Sequence, residues 1–128
     1  MTLKMLLAVA AGGALGSMGR YVTGVLMGRL LGSDFPWGTL TVNVVGSFLM
    51  GVLIEWAALR GVLTQEARAF IFVGCLGGLT TFSSFSLDVA TLVERQTILL
   101  AGGYMIATIC LGVAALFIGL YTARTLLT

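Results

Sequence analysis

Charged residues cut this chain into apolar runs of about the length that crosses a bilayer. Met5–Gly19 carries no charge, and beyond Arg20 the apolar character resumes to Leu31. Phe35–Ile54, Ala69–Leu87 and Gln96–Ala123 are likewise uncharged. A hydrocarbon core about 30 Å thick needs about 20 helical residues. The spacing predicts helices near 3–31, 39–59, 67–94 and 97–124, an all-α integral membrane fold forming one domain over 1–128. Composition agrees: 9% of residues are charged, against about 25% in a water-soluble domain. The first apolar run passes Arg20 without a clean A-x-A site, so a retained span is expected rather than a cleaved signal peptide.

The turns "LGSDFPWG", "RGVLTQE" and "ERQT" are too short to hold a domain, which excludes a soluble catalytic or ligand-binding module. In the first turn Pro36 precedes Thr39, expected to cap the second helix. In the second, Thr64 is the expected N-cap, with Glu66 and Ala67 behind it. The basic residues are spread singly and form no cluster suited to nucleic acid. Histidine is absent, which removes the commonest general base and metal ligand. Cys75 and Cys110 lie in apolar runs without metal-ligand spacing and are expected to be buried structural thiols.

Lys4, Arg60, Arg68 and Arg124 fall at one membrane side, Arg29 and Arg95 at the other, with Arg20 assigned to neither. Orientation follows differences of this kind, and here the difference is small. Glycine is abundant instead. Gly12/Gly16, Gly24/Gly28, Gly28/Gly32 and Gly74/Gly78 have the small-xxx-small spacing that lets membrane helices approach closely. The surplus points to oligomerisation.

Polar groups at membrane depth are costly and therefore candidates for function. Arg20 is open to two roles, snorkelling to an interface or serving a pathway. Asn43, in "TLTVNVVGSF", either makes an interhelical hydrogen bond or turns its amide toward a pathway. Glu55 and Asp88 lie near helix ends, Glu55 reading as solvated. Tyr104 and Thr108 are four apart, putting two hydroxyls on one helix face, although a threonine can also bond its own i−4 carbonyl.

The decapeptide "GGLTTFSSFS", residues 77–86, places two glycines and five hydroxyls at the middle of the third span. Glycine costs about 1 kcal/mol in a helix relative to alanine, so Gly77-Gly78 predicts a third helix broken at its centre. Non-helical backbone at that depth survives only inside protein or along a polar cavity. Broken helices of this kind bind ions in transporters and channels. Phe82 and Phe85 fall on one face if helix resumes after the break; they are either packing rings or ring edges, weakly positive, along a path for a small anion.

"GGLTTFSSFS", with "GTLTVNVVGSF" at 38–48 and "GGALGSMGRY" at 12–21, closely resembles the bacterial CrcB/Fluc fluoride channels along essentially the whole chain. The resemblance implies passive fluoride export across the bacterial inner membrane by an antiparallel, dual-topology homodimer with two pores. Phe82 and Phe85 would contact fluoride, Asn43 would be a donor in the pore, and Arg20 would lend positive potential to a vestibule. Ser83 and Asp88 would belong to the same pathway, and Tyr104 and Thr108 to a polar track on the fourth helix. Position 112, where relatives often continue that track with a hydroxyl, is Gly112. Asp88 stands where glutamate is common, and Ser84 where threonine is. Carbonyls of Gly77 and Thr80 from both subunits would hold one structural sodium ion. Three other readings compete. A small multidrug-type exporter needs an acid in the first helix, where Arg20 stands instead. A purely structural subunit has no use for hydroxyls on a broken helix, and a membrane enzyme would lack an acid–base pair.

Overall fold

The computed structural model describes all residues, 1–128, and every regular element in it is helical. Helix α1 spans Leu3–Leu31, its start capped by the Thr2 hydroxyl, which accepts from the Met5 N–H at 3.3 Å. Gly32, at φ +85, ends it. Helix α2 spans Trp37–Arg60. It begins before Thr39, which therefore lies inside the helix and does not cap it. Pro36 sits at the N-cap and its carbonyl already accepts from Leu40 at 3.2 Å. A proline ring has no N–H to leave unsatisfied and presets φ, so the helix starts directly behind it.

The third span runs Gln65–Glu94 but is not one regular helix. Thr64 caps α3, Gln65–Arg68, accepting from Ala67 at 3.1 Å as its position in the turn predicts. The backbone then widens into a π-helix over Ala69–Leu76 and returns to α-helix in α4, Gly77–Leu79. Thr80 and Thr81 are extended, with ψ of 156° and 122°. Helix resumes in α5, Phe82–Glu94, and α6 covers Ile98–Leu127. Four stretches, α1, α2, the third span and α6, are long and apolar enough to cross a membrane.

Glycines set the two closest helix pairs. Gly12 and Gly74 face each other across α1 and the π segment, with a Cβ on Gly74 reaching 2.8 Å from the Gly12 Cα. Gly16 packs on the Cys75 backbone, and Gly78 on Gly13 and Ser17. Helices α2 and α6 meet through Gly51 against Leu116 and Leu120, and Gly119 against Phe48 and Val52. Not every spaced pair is used this way: nothing lies near a Cβ on Gly28, Gly32 serves as helix terminator, and Gly24 instead receives Gly38 of α2, whose Cβ would lie 2.7 Å from the Gly24 Cα. At one end of the α2–α6 pair, Arg124 Nε donates to Glu55 Oε1 at 2.9 Å, so Glu55 is paired across helices and not simply solvated.

Only 16 of 128 residues are buried, far too few for a core that holds a water-soluble fold. Leu6, Leu7, Phe82, Ile106, Ile109 and Phe117 are among the many exposed apolar side chains. Cys110 is exposed among them and Cys75 half-buried, so neither is the buried thiol the sequence suggests. With so much greasy surface outward, the solvent of this protein is lipid. It is a multi-pass membrane protein.

Candidate functional site

The site is built around the two extended residues of the third span. In a continuous α-helix the Thr81 N–H would bond the Gly77 carbonyl. Here it donates to Asn43 Oδ1 at 2.8 Å, and Asn43 Nδ2 donates to the Thr81 carbonyl at 3.0 Å. A side-chain amide on α2 thus replaces both backbone bonds that Thr81 loses. Thr81 in turn caps α5, its hydroxyl accepting from Ser84 N–H at 3.1 Å and lying 3.3 Å from Ser83 Oγ. On the other side, Thr80 N–H and hydroxyl both reach the Leu76 carbonyl, at 3.0 and 2.9 Å. The Thr80 carbonyl accepts no hydrogen bond. Arg20 fixes the same segment from α1, its Nε donating to the Gly78 carbonyl at 3.0 Å.

Beside this segment lies a groove of about 440 Å³ between α2, α5 and α6. Asn43 and Ser47 line it from α2, Thr80, Phe82 and Phe85 from the third span, and Thr108 and Gly112 from α6. The two phenylalanine rings are 5.6 Å apart at a 49° tilt. Phe85 is buried, but Phe82 is 78% exposed, so the pair joins the interior to the outer face of the chain. Thr108 does not bond its own helix: its hydroxyl oxygen is buried and has no hydrogen-bond partner. One proton of the Asn43 amide is also left free after the bond to Thr81, since the group carries two. The groove therefore combines an apolar, aromatic wall with unspent donors.

The remaining candidates sit apart from this groove. Arg20 lines a second one with Ser17, Thr39 and Ser84. Asp88 lines a third with Asp34 and Arg95 at the α1–α2 turn. Tyr104 is fully buried, tilted 55° against Phe85 at 5.2 Å and edge-on to Phe35 at 5.4 Å. Its hydroxyl donates to Asp88 Oδ2 at 3.0 Å. Tyr104 and Thr108 thus share a helix but not a cavity, and Tyr104 connects the Phe85 wall to the Asp88 groove. Ser83 is exposed and Gly77 lies on the outer face.

Residues 7–120 match the family described as CrcB-like protein, Camphor Resistance (CrcB). This chain belongs to the CrcB family. Similar proteins include the "Fluoride-specific ion channel FluC" of Rhodospirillum centenum, 57% identical over 123 residues, 96% of this chain and 98% of that one. "Fluoride-specific ion channel FluC 1" of Nitrobacter hamburgensis is 52% identical over 121 residues, covering 94% and 96%. The Agrobacterium fabrum protein of the former name is 52% identical over 118 residues, covering 92% and 94%.

Three participants in this CrcB-family site escape a reading by residue type. Thr81 is defined by what its backbone loses, which no single position announces. Gly46 is buried beneath the Thr80 methyl group, where a side chain would collide. Ser47 was findable: it stands four residues after Asn43 and so on the same face of α2.

Proposed function

We propose that this chain forms a fluoride-selective channel that lowers cytoplasmic fluoride by passive export, and that it is not an enzyme. The observation that carries the reading is the groove of Asn43, Phe82, Phe85 and the unpartnered Thr108 hydroxyl. Fluoride is strongly hydrated, so a dry path must replace its water with donors. Amide and hydroxyl protons supply them, and ring edges carry weak positive charge. Neutral donors hold the ion loosely enough for release. The names borne by the relatives support the choice of ion. Arg20, Ser83, Tyr104 and Asp88 border this route and shape the approach to it.

The channel is an antiparallel, dual-topology homodimer in a bacterial inner membrane. The sparse interior, the outward Phe82 ring and the slight bias of basic residues support a second copy packed against the first. The broken third span gives that dimer its centre. Gly77 and Thr80 would hold a structural sodium ion through their carbonyls. The fit is chemical: Thr80 O accepts no bond, and the α-helical partner of Gly77 O, the Thr81 N–H, is committed to Asn43. Carbonyls released in this way suit a monovalent cation, which neutral oxygens can strip of water.

Purified protein in vesicles should release trapped fluoride rapidly and chloride hardly at all. Equal release of both anions, or of neither, would sink the reading. Reporters fused to the C-terminus should be found on both membrane faces; one fixed orientation would rule out the antiparallel dimer.

A further inference from the structure

Helices α2 and α6 run parallel, in a register the contacts define. Ser47 stands opposite Gly112, Gly51 opposite Leu116 and Leu120, and Glu55 reaches Arg124. One turn earlier on each helix come Asn43 and Thr108, so the groove is laddered. Its first rung offers the Asn43 amide and the Thr108 hydroxyl. At its second rung α6 offers nothing, because Gly112 has no side chain, and the nearest atom to a Cβ built there is Ser47 Oγ at 3.8 Å.

The Ser47 hydroxyl is also unspent. Thr23, Thr80, Ser86, Thr91 and Thr122 each give their proton to the carbonyl one turn back. Ser47 makes no such bond, although it sits in mid-helix where one is available. It is half-buried and lines the groove together with Asn43, Thr108 and Gly112.

We propose that Ser47 is a fluoride donor, taking the ion at the rung beyond Asn43 and Thr108 and supplying from α2 the hydroxyl that α6 lacks. Four residues of helix separate the rungs by about 6 Å. An ion stripped of water cannot cross a longer dry interval without a partner, and closely spaced weak sites let it pass from one to the next. The proposal rests on the fluoride-channel reading.

The test is fluoride efflux from vesicles holding the purified full-length chain. Ser47→Ala should slow efflux about tenfold, the order of effect of a lost hydrogen bond to an ion, and Ser47→Thr should leave it near the wild-type rate. The double variant Ser47→Ala/Gly112→Ser returns a hydroxyl to the same rung from the other helix, where the backbone has room for a Cβ. It should recover most of the lost rate, which a merely structural serine would not allow. Wild-type efflux from Ser47→Ala overturns the proposal, as does a loss that Gly112→Ser leaves uncorrected. Should Ser47→Ala not fold, Ser47→Cys keeps the volume with a weaker donor; reduced efflux then supports the proposal and unchanged efflux overturns it. Wild-type protein that passes no fluoride would instead sink the channel reading, and with it this one.

Discussion

The side-chain amide of Asn43 holds both backbone groups of Thr81, accepting from its N–H at 2.8 Å and donating to its carbonyl at 3.0 Å. Residues 38 apart in sequence are thereby tied, and the opening in the third span is closed from α2. The same amide lines the groove, so one residue both closes the opening and forms part of the groove wall.

Asn43→Asp separates these duties from ordinary packing. A carboxylate keeps the acceptor for Thr81 N–H but loses the donor to its carbonyl, and places negative charge beside a permeating anion. Fluoride efflux should vanish, and the protein should melt earlier, since a half-buried carbonyl left unpaired costs up to about 1–3 kcal/mol. Undiminished efflux in vesicles would remove Asn43 from the pathway.

The two phenylalanines should respond differently to the same change. Phe82→Ile alters a ring outside the core of the single chain and should cut efflux strongly while lowering the melting temperature less than Phe85→Ile does. Phe85→Ile also removes contact with Tyr104, 5.2 Å away between ring centres, and should lower both. An aliphatic side chain offers an anion no positive edge. If both variants conduct at the wild-type rate, the aromatic wall has no part in permeation.

Sodium dependence tests the carbonyls of the break. Thr80→Ala removes the hydroxyl bond to Leu76 and the methyl group over Gly46 but leaves the main-chain carbonyl in place, and should reduce efflux modestly. Gly77→Val stiffens the backbone that presents a carbonyl and should reduce it far more. Protein prepared rigorously free of sodium should conduct poorly, with lithium and potassium poor substitutes. Full activity without sodium would show that the break serves the pathway alone.

Glycine substitutions measure the close helix contacts. Gly51→Ala drives a methyl group into the Leu116 carbonyl, and Gly16→Ala into that of Cys75. Overpacking of this kind costs about 1–3 kcal/mol, and both variants should denature earlier in detergent. Gly13→Ala and Gly28→Ala meet nothing within 4 Å and should be neutral or slightly stabilising, since alanine is the better helix former. Equal behaviour of the two groups would contradict the close glycine packing of these helices.

The sequence by itself determined the spans, because uncharged runs of this length have no stable place except a bilayer, and hydrophobic length is a local property. It also determined the Thr64 cap and marked Asn43, Phe82 and Phe85, since polar or clustered aromatic groups at membrane depth stand out wherever they fold. Where the third span opens was decided only by tertiary structure. Glycine's modest helix penalty points to Gly77-Gly78, yet both are helical, and Gly78 is small so that α1 can approach, with a Cβ there 2.8 Å from the Gly13 carbonyl. The extended pair is Thr80-Thr81, because Asn43 arrives from α2 to replace the bonds Thr81 gives up. The separation of Arg20 and Asp88 from the Asn43 groove, and the facing of Ser47 with Gly112, follow likewise from how α1, α2 and α6 pack. Such choices depend on distances between helices, and residue type along one helix does not encode them.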